Sequence, residues 1–175
     1  MTDDNQRPAT VEELKSLAHP VRWRILRLCL EHARTNKELA DHLGLAPATV
    51  LRHVRSLLAH GFLAAETPRT GRRGALERPY RATRLTMRLS LESPEHPELT
   101  RDIELATLSA HRTELLEAPP DATVSTHRSQ LRLSARDSEE FLTRMHELWL
   151  EFHERQDPAG GRLSILWSHV SIPER

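Results

Sequence analysis

Apolar residues recur with helical spacing through the first sixty positions, and with shorter, alternating spacing after them. Val11, Leu14 and Leu17 predict a short first helix. Thr10 and Glu13 form a capping box at its start, where hydroxyl and carboxylate each satisfy an orphaned backbone N–H. His19-Pro20 ends that helix, because proline disfavours helical geometry in the residue before it. Pro20 suits the first turn of a second helix reaching about Glu31, with Val21, Ile25, Leu28 and Cys29 as its buried face. A second capping box, Thr35 to Glu38, opens a third helix with Leu39, Ala40 and Leu43, and Gly44 suits the left-handed residue past its end. Pro47 opens a fourth helix that ends near His60-Gly61. Short helix, glycine-containing turn, second helix is the layout of a helix-turn-helix.

Phe62–Thr67 and Leu76–Thr83 read as two strands around the basic loop Pro68–Gly74, which makes them a hairpin wing. Thr86–Glu92 alternates, with Leu85, Met87, Leu89 and Leu91 on one face, and predicts a third strand. Ser93–Pro97 is a linker, and Leu99–Glu117 is helical until Pro119-Pro120. The last third reads as strand, helix, strand: Thr126–Ser134, then a capped helix carrying Phe141, Leu142, Met145, Leu148, Trp149 and Phe152, then a covered strand over Arg162–Ile172. The fold class expected is α+β and mainly helical, an N-terminal winged helix-turn-helix followed by a C-terminal helix and a strand-helix-strand extension. The divisions are a disordered stretch over 1–9, a winged unit over 10–92, and a C-terminal dimerisation or effector region over 93–175.

Charge sharpens this picture. The 25 Lys and Arg balance 25 Asp and Glu, yet residues 1–91 carry a net +7 and residues 92–175 a net −7. An anionic partner is therefore expected for the first half only. On a helical wheel the fourth helix points Val50, Val54, Leu57 and Leu58 inward, and Ala48, Thr49, Arg52, Arg55 and Ser56 outward. An outward face of short and cationic side chains without an acid suits a helix that reads DNA, because arginine bonds guanine edges or phosphates. Arg69, Arg72 and Arg73 at the wing tip suit phosphates or a narrow minor groove. The second helix carries another apolar stripe, Trp23, Leu26 and Leu30. It is expected to pack on the Leu99–Glu117 helix or on a partner subunit.

Several classes are excluded or disfavoured. No apolar run approaches a membrane span, and the acidic start Met1-Thr2-Asp3-Asp4 is no secretory leader, so the cytoplasm is expected. One cysteine makes no disulfide framework. The chain has no glycine-rich phosphate loop, no Gly-x-Ser-x-Gly and no His-Glu-x-x-His, so no enzyme is expected and no catalytic residue is assigned.

The stretch Leu17-Ala-His-Pro-Val-Arg-Trp-Arg-Ile-Leu26, with Glu38-Leu-Ala-Asp-His-Leu-Gly-Leu45, Thr49-Val-Leu-Arg-His-Val54 and Arg78-Pro-Tyr-Arg-Ala-Thr83, resembles winged-helix regulators of the ArsR type. The resemblance covers about residues 10–92. It implies a dimeric regulator of transcription that binds double-stranded operator DNA, often as a repressor released by an effector. The DNA-binding residues expected are Thr35, Ala48, Thr49, Arg52, His53, Arg55, Ser56, Arg69, Arg72 and Arg73. The sequence departs from the family at Ala46, where a capping Ser is usual, and at Leu51, where a small polar residue is common. The family's thiolate metal site needs paired cysteines at the start of the third helix, where this chain has Ala33-Arg-Thr-Asn-Lys-Glu38. Cys29 reads as a buried structural thiol. Asp102, Glu104, His111 and Glu114 read as a polar helix face, and neither a metal site nor a cofactor is expected. A small-molecule effector, in a pocket lined by Trp149, Trp167 or Phe152, is left open, as is a winged-helix module that binds protein instead of DNA.

Overall fold

The computed structural model describes residues 6–171 apart from 71–73, 75, 123, 158 and 162. Internal contacts group these residues into two bodies, a first that runs to Ala118 and includes Val170 and Ser171, and a second over Pro119–His169.

In the first body the order is β1 (Arg7–Pro8), α1 (Val11–Leu17), α2 (Pro20–Glu31), β2 (Arg34–Thr35), α3 (Asn36–Leu43), α4 (Pro47–Ala59), β3 (Leu63–Ala65), β4 (Arg69–Thr70), β5 (Leu76–Glu77) and β6 (Pro79–Ala82). A 3-10 turn (Leu85–Arg88), β7 (Leu89–Ser90) and α5 (Pro97–Glu117) complete it. Both capping boxes close. Thr10 Oγ1 accepts from Glu13 N at 3.2 Å while the Glu13 carboxylate accepts from Thr10 N at 2.8 Å. At α3 the corresponding distances are 3.2 Å and 2.7 Å, between Thr35 and Glu38. Gly44 ends α3 at φ +64, in the left-handed region that glycine tolerates without cost. Asn36 Nδ2 donates to Pro47 O at 3.0 Å, tying the start of α3 to the start of α4.

The apolar stripes of α1 to α4 meet in one core. Leu14, Leu17, Ile25, Cys29, Leu39, Val50, Val54, Leu57 and Phe62 are all buried there. Helix α5 packs on α1 and α2, burying Ile103, Ala106 and Ala110. Arg24 pairs with Glu117 at 2.6 Å, and Arg27 pairs with Glu114, so two ion pairs flank the α2–α5 contact. The helix expected to open a separate C-terminal region thus belongs to the first body.

Three local expectations change. Arg7 and Pro8 form a strand rather than a disordered tail. They pair in parallel with Leu89 and Ser90, and Arg7 grips the Glu13 carboxylate at 2.9 and 2.6 Å. The wing is broken in two: β3 and β6 pair antiparallel through Ala64 and Arg81, with β2 on the other side of β6, while β4 and β5 form a separate ladder. Pro68 and Pro79 flank the break, and a proline has no N–H to give a ladder. Of the strand expected over Thr86–Glu92, only Leu89–Ser90 forms, as β7. Arg84 takes the left-handed conformation at φ 61, and Thr83 Oγ1 accepts from Leu85 N at 3.3 Å, which turns the chain into the 3-10 segment before β7.

The second body contains α6 (Ala135–Glu154), capped by Ser134, whose Oγ accepts from Asp137 N at 3.1 Å. The predicted strands on either side are not formed among the described residues. Thr126–Ser134 has no regular secondary structure, and the stretch expected to be covered is open, with Leu163 81% and Ile165 55% exposed. A strand needs a neighbour to satisfy its backbone, and neither segment has one within the described chain.

Candidate nucleic-acid interface

Val50, Val54 and Leu57 are fully buried and fix the rotation of α4 about its axis. That rotation exposes Ala48, Arg52 and Arg55 and leaves Thr49 half-buried, so these four make the outward face. No acid occurs in α4. Neither Arg52 nor Arg55 has an ion-pair partner among the described residues. Pro47 starts the helix without an N–H of its own, the N-cap Ala46 supplies no side-chain bond, and Thr49 N and Val50 N both donate to Ala46 O, at 2.9 and 3.1 Å.

Three expected contact residues face elsewhere. His53 is 3% exposed, with its ring centroid 4.4 Å from that of His19. Positions 50, 53, 54 and 57 form one helical stripe, and His53 shares it with the core valines. Thr35 is 4% exposed, and its hydroxyl is committed to the α3 capping box. Ser56 is half-buried, its Oγ 3.2 Å from Ser16 Oγ on α1.

The histidine pair is the feature that the residue pattern left unread. His19 caps α2, its Nδ1 accepting from Val21 N at 3.2 Å. Burial, then the charges of His19, Arg22 and Arg52, push His53 down to about 4. Burial, then Arg22 and Arg52, lower His19. Both rings are therefore neutral at neutral pH, and they join the N-terminus of α2 to the inner side of α4. His53 Nδ1 is buried without a hydrogen-bond partner.

On the wing, Arg69 bonds Glu38 Oε1 at 2.6 Å, while the other oxygen of that carboxylate accepts from Thr35 N. One carboxylate thus joins the wing to the start of α3, and Arg69 remains half-exposed at its side chain. Arg72 and Arg73 lie outside the described residues. Arg78 and Arg84 are exposed, whereas Arg81 is held by Glu66 and by Glu31 O.

Trp23 donates from Nε1 to Leu17 O at 2.8 Å. With Leu26 and Leu30 it lines a groove of about 180 Å³, whose opposite wall is Phe62, Ala82 and Leu85. The second stripe of α2 therefore faces the base of the wing and the 3-10 turn. The Cys29 thiol is fully buried, and burial pushes it up to about 12. No group of three or more His, Cys, Asp or Glu among the described residues is placed to hold a metal. Glu114 pairs with Arg27. Trp149, Trp167 and Phe152 are each more than a third exposed, two of them stacked only on His153 and His169. No helix among the described residues is long and apolar enough to cross a membrane.

Residues 17–65 match the family model of a helix-turn-helix domain. The match runs from the end of α1 through α4 to β3, so the chain carries a helix-turn-helix with a wing after it. No curated protein matches the chain. Among solved structures it is similar to reduced HlyU from Vibrio cholerae at 23% identity, over 59% of this chain and 85% of that one, with a TM-score of 0.36. It is similar to Rv0081 from M. tuberculosis at 25% identity, over 59% and 86%, TM-score 0.34. It is similar to the transcriptional regulator Tm0710 from Thermotoga maritima at 19% identity, over 79% and 78%, TM-score 0.35. Scores this low say nothing about what this chain binds.

Proposed function

We infer that the protein is a transcription regulator that binds double-stranded operator DNA as a homodimer, and that it acts as a repressor, as the ArsR-type resemblance implies. The observation that carries this reading is the outward face of α4: Ala48, Thr49, Arg52 and Arg55, free of acid and held outward by three buried side chains. Short residues near the helix start let the backbone approach a major groove, and the two arginines supply base and phosphate contacts. Arg69 and the basic wing supply contacts beside them. This role places the protein in the cytoplasm with the chromosome, and no catalysis is assigned to it. Control by a thiolate-bound metal does not suit a single thiol that is buried and titrates near 12. Selection of bound sequences from random duplexes, followed by binding measurements across salt, tests the reading. A recovered motif and a steep loss of affinity with salt support it. Salt-insensitive or absent duplex binding would instead favour a protein-binding winged helix.

A further inference from the structure

From Pro119 onward none of the described residues is buried, although α6 is 20 residues long and carries a continuous apolar stripe. Phe141 is 41% exposed, Leu148 50% and Phe152 55%. Helical segments draw most of their stability from packing such a face, and an open patch of this kind marks an interaction surface.

We propose that α6 pairs antiparallel with α6 of a second copy of this chain. Phe141, Met145, Leu148 and Phe152 are spaced by four, three and four residues, the repeat of a two-helix seam. In the antiparallel register, Met145 meets the partner's Leu148 and Phe141 meets the partner's Phe152. The flanking positions then decide the orientation. Arg144 lies across from the partner's Glu151, and Leu142 lies across from the partner's Trp149. A parallel pair would set Arg144 against the partner's Trp149 and lose the charge match. Both charged side chains are open to such a contact, with side-chain exposures of 75% for Arg144 and 56% for Glu151. Their existing ion pairs, to Glu140 and Arg155, lie one turn away on their own helix and hold them weakly. The open side of α5 is a poorer match for α6, because Arg112 interrupts its row of Leu105, Leu108 and Leu115.

This pairing rests on the homodimer of the proposed function and is measured without DNA: a monomeric parent would remove the dimer, whereas duplex binding is read separately in the salt titration. Sedimentation of the full chain at micromolar concentration should show a dimer. Arg144→Glu should weaken it roughly tenfold, since each dimer holds two such contacts and an attractive pair becomes repulsive. Glu151→Arg should weaken it by a similar factor. An equimolar mixture of the two variants should recover the parent association, because the mixed dimer has opposite charges at both flanking contacts. Should either variant lose helicity, the doubly reversed chain R144E/E151R decides the matter. It restores both contacts across the pair while reversing both contacts within the helix, and it should dimerise. A parent that stays monomeric, a dimer indifferent to either reversal, or a mixture that fails to recover association overturns the proposal.

Discussion

Arg52 and Arg55 owe their outward direction to Val50, Val54 and Leu57, so two polar roles are set by three apolar side chains. Arg52→Ala should cost ~1–3 kcal/mol at the preferred sequence and relax the choice at one base position, the signature of a base-edge contact. Arg55→Ala should weaken all duplexes about equally, as a phosphate contact does. Titrating both variants against the selected site and a scrambled duplex separates the two. His53 carries a different consequence. It ionises near 4 in the fold and near its ordinary 6.5 in the unfolded chain. Between those values the unfolded chain binds more protons, so the stability present above about 6.5 is lost as pH falls toward 4. Glu13, held at about 2 by Arg7, extends the loss to still lower pH. Thermal melting at pH 7 and pH 5 should show a drop for the parent and a smaller drop for His53→Leu. Equal drops would remove His53 from the account. The outward arginines were legible in the sequence because wheel position and charge agree. His53 and Thr35 are polar yet lie inside: His53 falls on the stripe 50, 53, 54, 57, and the Thr35 hydroxyl belongs to the box with Glu38, so residue type points outward where position points inward.

Elements whose signals are local were legible with their ends: α1 to α4 begin and stop where capping residues, prolines and Gly44 put them. Elements that need a distant partner were not. The β1–β7 pair joins residues 7–8 to 89–90, and no local pattern records it. The same holds for the segments on either side of α6, which read as strands in the sequence and form none among the described residues. Two predictions belong at this scale. Ala46→Ser should supply the missing cap of α4 and stabilise the first body by about 1 kcal/mol, read as a higher melting temperature. An unchanged melting temperature would mean that the α4 terminus is already satisfied. Trp23→Ala should destabilise by about 3 kcal/mol, the low end for a large aromatic because the ring is half-buried, and it also loses the bond to Leu17 O. Denaturant unfolding checks this, and an unshifted midpoint would show that the stripe facing the wing base carries no packing energy.

At the scale of the whole molecule, the +7 of residues 1–91 and the −7 of residues 92–175 divide the labour. The basic half contains the helix-turn-helix and wing, and the acidic half contains all of α5 and α6. Two heads tied through the acidic half would present two α4 helices to one duplex and demand two half-sites at fixed spacing. The measurement that bears most directly on this account is the affinity of the full chain for its selected duplex across salt, for the parent beside Arg52→Ala/Arg55→Ala. The account predicts a steep loss with salt for the parent, and for the double variant a weaker affinity, a shallower salt slope and no preference for the selected sequence. A double variant that binds the selected duplex as tightly and as selectively as the parent would contradict it.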